Sequence, residues 1–293
     1  MYLRTSIFFV KKQQFILTII SILLIASLLF FGKTVTKKDI IITADAAKSI
    51  IPQFNLDNYV QLSKQKLTVN QQSYLANLEN SVKRGDVNEQ QIKTYNQLAS
   101  FWKDSVDEHN LYNFYTGESA KLVNSEKNLT FAAQLILKDL RNEQDIAKRG
   151  WKANQAIVLF EKAIELNPAN DSLKVELSSC YVFGKGMAGD AQATMKGIQQ
   201  LLQVVKKDST NMQAQLVLGI GGVISTQYEK AIDRLQTVVK NEPTNIEAVS
   251  WLADAYAGKG DKANALKWYE ISKRMINNPA YSKEVDERIK MLK

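Results

Sequence analysis

The two side chains most used for nucleophilic and acid–base chemistry at neutral pH each occur once in this chain, as His109 and Cys180. A single imidazole excludes, within one chain, every mechanism that needs paired histidines, and with them most zinc sites. Cys180 lies in Val175-Glu-Leu-Ser-Ser-Cys180-Tyr181, a helical pattern that makes it a small core residue. One cysteine also forbids an intrachain disulfide. Asp104, Asp107 and Glu108 gather near His109, but charges at a helix end read as a solvated turn. The glycines of Gly219-Ile220-Gly221-Gly222 have no strand before them and no Lys-Ser/Thr after them, so they do not form a phosphate loop. No cofactor or metal motif is present. The sequence therefore points to a protein that is not an enzyme, with no cofactor and no small-molecule substrate.

The elements that carry these residues read as helices. With only 4 prolines and 13 glycines in 293 residues, and long runs of Ala, Leu, Lys, Gln and Glu, helix dominates. No sustained alternation of β-branched and polar residues argues for a sheet. Residues 55–128 show four apolar stripes: Leu56, Tyr59, Val60 and Leu67; Val69 to Val82, ending near Gly85; Ile92, Tyr95, Leu98, Phe101 and Trp102; and Leu111 to Val123. The aromatic group Phe101, Trp102, Leu111, Tyr112, Phe114 and Tyr115 is read as buried packing. The first clear hairpin follows, with Leu129, Phe131, Leu135, Ile136 and Leu140 on one helix and Ala156, Phe160 and Ala163 on the next.

Further along, a period appears. Leu218, Gly219, Ala231 and Leu235 are matched 34 residues later by Leu252, Ala253, Ala265 and Tyr269. A fixed period of this length means stacked two-helix units that bury their apolar faces against one another. The preceding unit, with Leu177, Tyr181, Gly197, Leu201 and Val204, carries 7 extra residues, and these predict a loop at Gly184–Gly189. The three glycines of 219–222 predict locally weak packing, since each costs about 1 kcal/mol against alanine within a helix. Residues 280–293, with Val285, Ile289 and Leu292 on one side, read as a capping helix.

This pattern resembles the tetratricopeptide repeat (TPR) family, whose signature places Leu, a small residue and Tyr on a first helix, Ala and an aromatic on a second, and Pro at the exit. Leu252, Ala253, Tyr256, Ala265 and Tyr269 match it; so do Leu218, Gly219, Ala231, Leu235 and Pro243, and Ala156, Phe160, Ala163 and Pro168. Gly222 departs from it, standing where the family has Tyr. The resemblance covers 129–279 and implies an all-α fold, an α-solenoid of helix-turn-helix repeats. It further implies that the inner face of each first helix lines a groove. Carried over, that face comprises Ser172, Val175, Ser179 and Val182; Gln213, Leu216, Ile220 and Val223; and Glu247, Ser250, Asp254 and Ala257. The family's Lys/Asn carboxylate grip is absent, so the expected partner is a protein segment, extended or helical, with aliphatic anchors; the alternative is that the chain's own front helices cover the groove.

Ahead of these elements, Gln13–Gly32 is a run of 20 uncharged residues between Lys12 and Lys33. At helical rise it spans about 30 Å, the thickness of a hydrocarbon core. Residues 1–12 form a basic tail, 13–32 a transmembrane signal anchor and 33–54 a linker. A cleaved signal peptide is the competing reading, but its apolar core would be shorter and would be followed closely by a small-x-small site. Five of the eight net positive charges fall in residues 1–40, flanking this span, where anionic head groups attract them. With no basic and aromatic cluster elsewhere, nucleic acid is not an expected partner. The chain is similar in architecture to membrane-anchored bacterial repeat proteins. That likeness implies an inner-membrane, single-pass scaffold with its repeats on the periplasmic side, or alternatively a periplasmic chaperone that holds clients transiently.

Overall fold

The computed structural model describes residues 53–84 and 88–292. The basic tail, the 13–32 span and nearly all of the 33–54 linker lie outside these residues. Among the described residues no helix is long and apolar enough to cross a membrane, and none forms a strand.

The front of the chain gives α1 (Leu56–Lys64), α2 (Val69–Arg84), α3 (Asn88–Ser100) and α4 (His109–Val123), as the four stripes predict. The repeats then give α5 (Glu126–Leu140) with α6 (Ile146–Leu166), and α7 (Asp171–Ser179) with α8 (Ala191–Lys207). Next come α9 (Met212–Ile224) with α10 (Tyr228–Asn241), and α11 (Ile246–Lys259) with α12 (Lys262–Ile276). The closing helix is α13 (Pro279–Leu292). Each pair packs as a hairpin, and each hairpin packs on the next: α4 on α5, α6 on α7, α8 on α9, α10 on α11 and α12 on α13. The result is a TPR-like stack.

Caps explain why the helices start where they do. The first helices of three successive units begin behind an asparagine whose side chain accepts from the first turn: Asn170 from Ser172 N–H, Asn211 from Ala214 N–H and Asn245 from Ala248 N–H. Asp190 and Asp261 do the same for α8 and α12. Each such oxygen satisfies a backbone donor that the helix itself leaves unpaired.

Three apolar clusters hold the stack. One lies in the front bundle around Trp102 and Leu111, both fully buried. A second joins α4 to α8 around Leu129, Phe160 and Leu173. A third runs from Val175 to Ile289 and takes in the inner sides of α7 to α13. In it, Val285 and Ile289 of α13 shield the last hairpin, the role read from the sequence for this segment. Phe131, which the stripe places inside, is instead 52% exposed.

Two sequence expectations need correction. The extra residues of the second unit do not loop out at Gly184. Cys180–Gly186 continues α7 as a wider π-helical segment, with Gly184 and Gly186 buried, and the chain turns only at Met187–Gly189, where Gly189 has φ 92°. A similar segment, Phe101–Ser105, extends α3. Nor is α9 loosely packed at its glycines. A Cβ on Gly219 would fall 2.6 Å from Leu235 Cγ, and one on Gly222 would fall 3.0 Å from Ala231 Cβ. Gly219 and Gly222 let α10 approach closely and Gly221 faces Ile198 of α8, so their propensity cost is offset by helix contact.

Candidate binding surfaces

The inner line implied by the repeat pattern is traceable in the structure, but the chain itself occupies most of it. Val175, Ser179, Val182, Leu216 and Ile220 are buried, at 2% exposure or less. Four of them belong to the third apolar cluster, and Ser179 spends its hydroxyl on Val175 C=O. These five offer nothing to a partner as the chain stands, which corrects the expectation that they line an open groove. The π-helical extension of α7 packs on α9 and adds to this burial. It carries Phe183 inward to 4% exposure, and the Arg141 guanidinium lies over its ring at 4.4 Å.

Arg141 then reaches across the stack. Its Nη1 donates to both carboxylate oxygens of Glu247, at 3.1 and 2.9 Å, linking the end of α5 to the start of α11 over 106 residues of chain. The remaining members of the line fare similarly. Ser250 is hydrogen-bonded to Tyr281 of α13 at 2.9 Å. Asp254 accepts from Tyr269 OH at 2.6 Å and from Arg288 Nη1 at 2.7 and 2.9 Å. Gln213 is exposed, and Ser172 with it, while Val223 and Ala257 are half-buried. Residues that the pattern did not single out, Arg141, Phe183, Tyr281 and Arg288, are thus the ones that settle what the line can do.

The residues with chemical potential are not brought together. Cys180 is fully buried in the second cluster, and burial, with the Glu176 charge, pushes its thiol up. His109 sits exposed at the start of α4 beside Asp107. One is inside and the other outside, so they make no nucleophile–base pair. The most enclosed charge is Lys152, whose Nζ lies 2.6 Å from Asp139 and 2.8 Å from Glu143. Burial alone would raise the Glu143 carboxyl, but the Lys152 hydrogen bond, the Asp145 N–H and the charges of Lys152 and Lys148 outweigh it and hold it below the usual carboxylate range. An ammonium shared between two carboxylates ties α5 to α6. Among the described residues no group of three or more His, Cys, Asp or Glu could hold a metal ion.

Several clefts are open among the described residues, two of them built by three or more helices. One of about 520 Å³ runs between α8 and α10, with Ile198, Leu202 and Leu218 below a rim that includes Gln215, Lys230 and Arg234. The other, of about 430 Å³, lies in the front bundle between α1, α2, α3 and α4. The aromatic group read as buried packing is largely so: Phe101, Trp102, Leu111 and Tyr115 are core, while Phe114 and Tyr115 also show one side to this second cleft. The i, i+3 and i+4 spacing of Glu118 from Tyr115 and Phe114 was the available sequence signal for it.

No protein-family model matches the chain, and no curated protein sequence does. Among solved structures the chain is similar to MamA, at 18% identity over 64% of this chain and 93% of that one, with a TM-score of 0.43. It is similar to YrrB, described as a TPR protein with an unusual peptide-binding site, at 14% identity over 72% and 97%, with a TM-score of 0.43. A thermophilic TPR protein of Thermus thermophilus, TTC0263, gives 15% identity over 70% and 98%, with a TM-score of 0.49. These likenesses carry no argument about function, and the TPR-like reading of the fold rests on the chain's own 34-residue period and its stacked hairpins.

Proposed function

We propose that this chain is a scaffold or adaptor that binds another protein, held in the bacterial inner membrane by residues 13–32 with its repeats on the periplasmic side. The single observation that carries the adaptor reading is the stack itself. Successive hairpins spend their apolar stripes on one another, and the chemically capable residues stay scattered, so the chain offers extended helical surface and clefts. The membrane reading is supported by the 20 uncharged residues between Lys12 and Lys33.

Partner contact on the inner line falls on its accessible members, Ser172, Gln213, Val223 and Ala257. The cleft between α8 and α10 offers an apolar floor and a polar edge without any rearrangement. A photo-crosslinking side chain placed in turn at Gln213 and at Leu202, in native membranes, tests the reading. One protein captured reproducibly from either site supports an adaptor and says which face it uses. A diffuse smear of unfolded clients would favour the chaperone, and no adduct from either position would remove the adaptor reading.

A further inference from the structure

The front cleft sets two tyrosine rings and a phenylalanine among acidic side chains. Tyr95 and Tyr115 stack at 6.3 Å between ring centroids, and Phe114 meets Tyr115 edge-on at 5.1 Å and 70°. Leu56, Val60 and Leu98 give it an apolar floor. Around this aromatic corner stand three carboxylates, Asp57, Glu79 and Glu118; Lys121 pairs with Glu118 from outside the lining, and the one ammonium in the lining is Lys64.

That ammonium is fully committed to Glu79, 2.7 Å from Oε1 and donating to Oε2 at 2.8 Å. Glu118 gives Oε1 to Lys121, while its Oε2 has no partner among the described residues. Asp57 makes no ion pair there either. The phenols register the resulting field. Burial first, and then the Glu79, Tyr95 and Glu118 charges, push the Tyr115 hydroxyl above its ordinary value, and burial with Glu118 does the same at Tyr95.

We propose that this cleft binds the cationic side chain of an arginine or lysine presented by a protein partner. An anionic group would meet an excess of carboxylate, three against two ammoniums, and ring faces of negative potential. A cation gains from both, and its alkyl stem can lie along Val60 and Leu98 while the head group faces Tyr95 and Glu118. Guanidinium fits better than ammonium, because its plane can stack on a ring while its edge donates to a carboxylate. The inference rests on the adaptor reading for the identity of the ligand's carrier, and it does not depend on the membrane anchor.

The test is calorimetric titration of the full-length chain with the tripeptide acetyl-Gly-Arg-Gly-amide and with its neutral citrulline counterpart. The arginine peptide should bind about tenfold more tightly, and added salt should narrow the gap. Glu118→Gln should weaken arginine binding several-fold and leave the citrulline peptide unmoved. Tyr95→Leu should weaken both, the arginine peptide more. Glu118 is partly exposed, so Glu118→Gln keeps the fold, and circular dichroism of that variant checks it. Equal binding of the two peptides, binding of neither, or full arginine binding by Glu118→Gln would overturn the proposal. Loss of the cation preference alongside intact crosslinks at Gln213 or Leu202 would remove this site while leaving the adaptor standing.

Discussion

Thr226 and Gly260 stand one 34-residue period apart, in the α9–α10 and α11–α12 turns, and both take left-handed backbone, at φ 59° and 83°. Glycine does so without strain, whereas a β-branched residue there carries about 1–3 kcal/mol. The next position repeats the contrast. Asp261 caps α12 by accepting from Asn264 N–H at 3.1 Å, but Gln227 makes no side-chain cap bond to α10. Thr226→Gly combined with Gln227→Asp should therefore raise stability by about 2 kcal/mol, read as a higher urea midpoint with an unchanged slope. Glu176 offers a second gain of different origin. Its Oε1 accepts from Gln134 at 2.8 Å, while Oε2 is buried without a partner. Burial raises this carboxyl, and the Gln134 hydrogen bond offsets only part of the shift. A raised folded-state value means that ionisation at neutral pH works against folding, a penalty that fades as pH drops through that value. Glu176→Gln should stabilise at pH 7, and the gain should vanish below the ordinary glutamate range, near pH 4. An equal gain at both pH values would show that charge is not the cause.

At the scale of elements, α9 shows what periodicity can and cannot report. Its place in a hairpin and its partner α10 were legible from the 34-residue spacing, because apolar stripes are local and repeat with the fold. Whether its inner side is open was not legible. Leu216 and Ile220 have the same types and spacing whether they line a groove or a core. Leu216 and Ile220 share their cluster with Phe183 of the π-helical widening in α7, and such a widening leaves no local pattern. The glycines were ambiguous for a similar reason. Propensity describes the isolated helix, while the 2.6 Å clearance at Gly219 belongs to the pair. These burials separate groove from core experimentally. Leu216→Glu with Ile220→Lys would leave an open groove folded and merely repel a partner. In the structure as it stands, the pair places two charges in a dry cluster and should cost about 4 kcal/mol or more, seen as lost helicity or a collapsed melting transition. A double variant that melts like the parent would reopen the groove.

Residues 126–292 behave as a line of hairpins, with the Arg141–Glu247 tie joining units that are not neighbours, and the relative strength of the two decides how damage spreads. Nearest-neighbour contact between hairpins is apolar and extensive. The Arg141–Glu247 side chains are each about a third exposed, at 30% and 34%, so solvent screens them and the tie contributes about 1 kcal/mol or less. Deleting α13 by ending the chain at Asn278 uncovers the surface that Val285 and Ile289 shield. It also strips Arg288 from Asp254 and Tyr281 from Ser250. The loss of burial is worth several kcal/mol, well above the tie. Opening should therefore begin in α11 and α12 and decay along the stack. In hydrogen exchange, amides of residues 246–276 should lose protection strongly, those of 212–241 less, and those of 126–166 scarcely at all. Arg141→Ala in the full chain should give the converse, a modest and localised rise near 141 and 247. Uniform loss of protection in the truncated chain would mean that the tie, or a coupling it helps to hold, makes the repeats a single cooperative body, and the one-dimensional picture would fail.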